Sequence, residues 1–147
     1  MARLALRRPQ RPQRLRPRDR ASDVRGSRRG RRGAGPASLT DDFARGLGLM
    51  RDGAYFEAHE ALEDAWRAAD PAEKDFFQGL VHVTVAWYQA GRGNRVGCER
   101  QLMKAERRLR PFAPTHRSVD LEAVLSQVGA AAIIVDRGSL ELPSLHV

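Results

Sequence analysis

Between residues 38 and 138 the apolar positions recur with the period of helices, not with the alternation of strands. Phe43, Leu47 and Met50 fall at i, i+4 and i+7, which predicts a first helix starting near Ser38. Asp41 and Asp42 would suit its first turn, where the positive end of the helix dipole favours carboxylates. Gly53 marks a turn, and a second helix is expected over residues 55–68. Asp70-Pro71-Ala72-Glu73 reads as the start of a third: Asp70 as cap, Pro71 at the first helical position, Glu73 reaching back. This helix should run from residue 71 to residue 89 or 90. Phe76, Phe77, Leu80, Val81, Val83, Val85 and Trp87 nearly encircle it, so it belongs at the centre of the fold. Gly91, Gly93 and Asn94 end it.

A fourth helix is expected over residues 95–109, with Val96, Leu102, Met103 and Leu109 inward and Pro111 and Pro114 stopping it. A fifth should start near Ser118 and run to about Asp136, with Leu121, Val124, Leu125, Val128, Ala132 and Val135 in one stripe and Gly138 closing it. Only Ile133-Ile134-Val135 is ambiguous between helix and strand. The expectation is an all-α protein: a compact bundle of four or five helices over residues 38–138, a C-terminal loop over 139–147, and a disordered segment over 1–37.

Charge separates that segment from the body. The chain of 147 residues carries a net +8 and has a pI near 11.0, a composition that points to nucleic acid. Residues 1–36, however, hold 13 arginines against Asp19 and Asp23, a net +11, while residues 37–147 are at −3. The first 36 residues also hold four prolines and four glycines and have too little apolar surface to offset chain entropy. Three readings stay open for them: a polyanion-binding arm without base specificity, a targeting peptide, or a functionally inert stretch or one not translated at all because the start site was placed too far upstream. Nucleic acid is expected as a partner only through this stretch. The single cysteine, Cys98, rules out an internal disulfide, and no apolar run is long enough to span a bilayer, so a cytoplasmic protein without a membrane partner is expected.

The second helix carries the informative chemistry. At 100° per residue Phe56, His59, Leu62, Glu63 and Trp66 share one face, which sets a histidine and a carboxylate one turn apart on an apolar stripe. On the third helix Gln78, His82 and Gln89 lie along one side. If that side faces the second helix, His59, Glu63, Gln78 and His82 form a buried polar cluster. The structural interpretation is a satisfied network that fixes helix register. The chemical interpretation is a divalent-metal or proton-transfer site at His59 and Glu63, joined by Glu60 or His82. His-Glu-x-x-Glu lacks the second histidine of a zincin helix, and further Glu-x-x-His pairs for a di-iron bundle are absent. Trp66 and Trp87 read as core anchors. His116 and His146 fall in expected loops without partners.

The segment from Gly53 to Trp66, then Phe77-Gln78-Gly79-Leu80, then Gly93-Asn94 resembles the bacterial and archaeal family called Domain of Unknown Function 309, over roughly residues 43–109. The resemblance implies a small all-helical domain of cytoplasmic type and no particular activity. Its motif falls on Glu57, His59, Glu60, Glu63, Trp66, Gln78 and Gly79. The family typically has a glutamine at the position of His82 and often a histidine at that of Gln89, so this chain has the two exchanged. A metal site needing an imidazole at position 89 would lack it. The leading expectation is therefore a non-enzymatic binding or interaction module with a His/Glu/Gln cluster and no cofactor. A metal-dependent enzyme and a nucleic-acid-associated protein are the alternatives.

Overall fold

The computed structural model describes residues 35–147, with side chains from Ser38 onward. Residues 1–34, and with them the arginines of the basic segment and the roles expected for it, lie outside the described residues. Five α-helices follow in chain order: α1 (Gly35–Arg51), α2 (Tyr55–Ala68), α3 (Lys74–Gly91), α4 (Arg95–Leu109) and α5 (Leu121–Asp136). The all-α bundle expected from periodicity is the fold. Among the described residues no helix is long and apolar enough to cross a membrane.

α3 is the centre. Phe76, Phe77, Leu80, Val81, Val83, Ala86 and Trp87 are all buried, because α2 and α4 pack along its flanks and Phe43 of α1 meets both phenylalanines edge to face. α5 lies against α4. α3 and α4 meet closely at Gly79. A Cβ at Gly79 would come within 2.6 Å of Leu109 Cγ, so only glycine lets the helices meet there. Gly93 closes α3 in the left-handed region, φ +76°, a conformation that side chains disfavour.

Four local expectations are corrected. α1 starts at Gly35, so Asp41 and Asp42 fall beyond its first turn. The Asp70–Glu73 capping box does not form: Pro71–Glu73 is a 3-10 turn, the Asp70 side chain caps nothing, and the Glu73 carboxylate is drawn elsewhere. On α4, Val96 is 57% and Met103 68% exposed, whereas Cys98, Leu102, Ala105 and Leu109 face the core. α5 begins at Leu121, with the Asp120 carboxylate accepting from Ala123 N at 3.0 Å, and its inward row passes through Ala131, leaving Ala132 exposed.

Residues 115–120, read as loop and helix start, form a small hairpin. β1 (Thr115–His116) pairs antiparallel with β2 (Val119–Asp120), and Arg117 and Ser118 make the two-residue loop at φ +48° and +64°. Positive φ at both loop positions is what such a tight hairpin demands, usually of Asn-Gly. Here Glu73 holds the loop. Its Oε2 accepts from Arg117 Nε and from His116 Nε2, both at 2.7 Å, and its Oε1 accepts from Arg117 Nη2 at 2.8 Å. The Arg117 guanidinium, with His116 beside it, holds the Glu73 carboxyl at a pKa of about 2. His116, expected to be unpaired, also packs against the rings of Phe76 and Phe112.

The last nine residues are irregular but fastened. Trp87 Nε1 donates to Pro143 O at 2.8 Å, Leu145 is buried, and Gln127 exchanges two hydrogen bonds with the His146 backbone.

Candidate functional site

α2 presents the motif on two sides. Ala58, Ala61, Leu62 and Ala65 go into the core, with Ala61 and Leu62 beside Gly46 of α1. Phe56 does not join them: it is 46% exposed. Its ring stands 5.5 Å from that of Tyr88 and 5.3 Å from the His59 imidazole. Between α2 and α3 these residues, with Tyr55, Val85 and Gln89, line a recess of about 220 Å³. Arg92, just past α3, places its guanidinium 5.6 Å over the Tyr88 ring.

His59 is oriented by its own helix. Nδ1 lies 3.0 Å from the Phe56 carbonyl, and because a carbonyl only accepts, Nδ1 carries the proton. Nε2 therefore faces Glu63 Oε2, 3.5 Å away, with a lone pair when the ring is neutral; an ion pair forms only on protonation. The other Glu63 oxygen is 3.7 Å from Arg67. Beyond Glu63 the surface becomes a polar cleft lined by Arg45, Glu60, Glu63, Asp64 and Arg67, where Arg67 pairs with Asp64 at 2.7 Å. Glu57 is exposed in the first turn of α2. Trp66 is half-buried beneath Lys74, whose ammonium sits 4.8 Å over the indole and caps the end of α2 by donating to Trp66 O at 2.6 Å.

His59 and Glu63 thus come together, but the four-residue cluster does not close. His82 hydrogen-bonds to α4, with Nδ1 2.7 Å from Gln101 Oε1. Only 8% exposed, it is held below the usual histidine pKa by burial, with the Arg108, Lys104 and Arg107 charges adding to the effect against the Gln101 bond. Gln78 is half-buried, and no hydrogen bond joins it to His59 or His82. The reason is rotational. His82 sits on the side of α3 turned to α4, whereas Val85, Tyr88 and Gln89 turn to α2. Among the described residues no group of three or more His, Cys, Asp or Glu side chains is placed to hold a metal ion.

Residues 43–101 match the family described as Domain of unknown function (DUF309). That segment of the chain is similar to the DUF309 family. A relative, "Uncharacterized protein YpuF" of Bacillus subtilis (strain 168), is 34% identical over 67 residues, which are 45% of this chain and 37% of that one. The chain thus matches little more than a third of the length of that curated relative. No solved structure matches it. Every wall of the recess, and the cleft beside it, lies inside the matched segment.

Apart from Glu99, a second concave surface lies outside that segment. Leu102 and Met103 of α4 and Leu125, Val128 and Ala132 of α5 line an open groove of about 400 Å³. Sequence reasoning missed this groove, having turned Met103 inward. It also missed Tyr55, Val85 and Tyr88 as recess walls. The i, i+3, i+4 row of Val85, Tyr88 and Gln89 was the available signal, hidden by the apolar residues all around α3.

Proposed function

We propose that this protein is a non-enzymatic, cytoplasmic interaction module that receives a side chain of a partner protein in the recess beside Phe56. The observation carrying the reading is Phe56 itself, an aromatic side chain left half in solvent at the lip of a concavity whose other walls are Tyr55, Val85 and Tyr88. Aromatic residues bordering a pocket are the usual anchors of interfaces, because burying them releases much apolar surface at little conformational cost. His59 and Glu63 supply polar direction at one edge, and the reading assigns no cofactor. A reducing compartment fits Cys98, buried as a thiol with its pKa raised chiefly by desolvation. The test is a peptide library displayed on phage and selected on the full chain. Selected peptides should bind Phe56→Ala about 10-fold or more weakly, with the far-UV spectrum unchanged. Peptides that bind the variant undiminished would contradict the reading.

A further inference from the structure

Resting on that reading of the recess, we propose that the side chain it receives is a cation: the guanidinium of arginine, or the ammonium of lysine, on a peptide segment. The walls come first. The faces of Phe56 and Tyr88 carry the negative side of the ring quadrupole, which attracts a cation while Val85 accepts its aliphatic stem. Tyr88 already serves one guanidinium. Arg92 lies over its ring, and Arg92 Nη1 donates to Tyr88 Oη at 3.3 Å.

The acceptors come second. Since His59 Nδ1–H is committed to the Phe56 carbonyl, neutral His59 offers only the Nε2 lone pair, 3.5 Å from a Glu63 oxygen. Two acceptors side by side need a donor. The fork of a guanidinium supplies two, and an ammonium three. An aliphatic or aromatic anchor would leave both acceptors unmatched.

The approach is third. Glu60 and Asp64 are exposed in the cleft that adjoins the recess, with Glu63 half-exposed between the two. In the adjoining cleft Arg67 lies on Asp64 and Glu63, and Arg45 within 3.9 Å of Asp64, so of its carboxylates Glu60 remains for an incoming cation. A basic segment would meet complementary charge before it docks.

The test titrates the full chain with three acetylated peptide amides: Gly-Ser-Gly-Arg-Gly-Ser-Gly, its lysine counterpart, and its citrulline counterpart, which keeps the shape and removes the charge. Saturable binding of the arginine or lysine peptide is expected, weakened by salt, with citrulline about 10-fold weaker. Phe56→Ala and Glu63→Gln should each weaken the charged peptide about 3-fold or more, with helicity retained. Equal binding of citrulline, or phage-selected peptides that depend on Phe56 yet anchor through an apolar residue, would overturn the cation and leave the recess reading standing. Failure of all three peptides to bind, while Phe56-dependent peptides are selected, would do the same. If Phe56→Ala changes no peptide's binding, both readings fall.

Discussion

Glu73→Gln tests how the hairpin is held. The wild-type carboxylate receives two hydrogen bonds from Arg117 and one from His116, and its pKa falls from 4.5 to about 2. Taken whole, such a shift corresponds to about 3 kcal/mol of stability at neutral pH. All three side chains remain partly solvent-exposed, so screening reduces the expected contribution to about 1–2 kcal/mol. The sign follows from linkage. The folded-state pKa is depressed, so the contribution is fully present above about 4.5 and is lost as pH falls toward about 2. Urea unfolding of wild type and Glu73→Gln, followed by far-UV circular dichroism at pH 7 and pH 3, gives the comparison. The variant should be less stable by about 1–2 kcal/mol at pH 7, and the gap should narrow at pH 3. Amide exchange of residues 115–120 should accelerate in the variant, because Arg117 and Ser118 would keep their positive φ without the carboxylate. Equal stabilities at pH 7, or a gap that does not change with pH, would refute the reasoning.

Other substitutions probe the rest. Gly79→Ala should destabilise by about 1–2 kcal/mol in the same assay, the clash with Leu109 outweighing the better helix propensity. Trp87→Phe should cost about 1 kcal/mol through the lost bond to Pro143 and should speed hydrogen exchange over residues 139–147. Since the folded-state pKa of His82 is lowered, unfolding takes up a proton as pH drops below about 6.5, and stability falls there. His82→Gln, which has no titrating ring, should flatten that slope in thermal melts between pH 7.5 and 5 relative to wild type. His59→Ala should change stability by less than about 1 kcal/mol, because Glu63 is half-exposed and keeps Arg67; a larger loss in thermal melts would argue for a structural role.

The helices were legible because apolar period, Gly53, Pro71 and Gly93 all act locally. α2 falls where its pattern places it, and α4 likewise. What escaped depends on partners distant in sequence. The hairpin could not be seen because Arg-Ser is not a turn dipeptide; it is fastened by Glu73, more than forty residues earlier. That same commitment removed Glu73 from the capping box. Periodicity assigned Phe56 to the apolar stripe of α2, but it is Ala58, Ala61, Leu62 and Ala65 that turn inward, so Phe56 emerges on the other side. With α3 apolar on nearly every side, its sequence did not say which face meets α2 and which meets α4. His82 was therefore joined to His59 in expectation and to Gln101 in the fold.

The central claim is that the recess between α2 and α3 holds a cationic side chain, and the most direct measurement is where that side chain lands. Ring and methyl carbon–proton spectra of the full chain can be followed during titration with the arginine peptide. The account predicts that Phe56, His59 and Tyr88 ring signals move together and saturate, while the Leu102, Met103 and Val128 methyls of the α4–α5 groove stay in place. Groove methyls that shift while the three recess rings do not would contradict it.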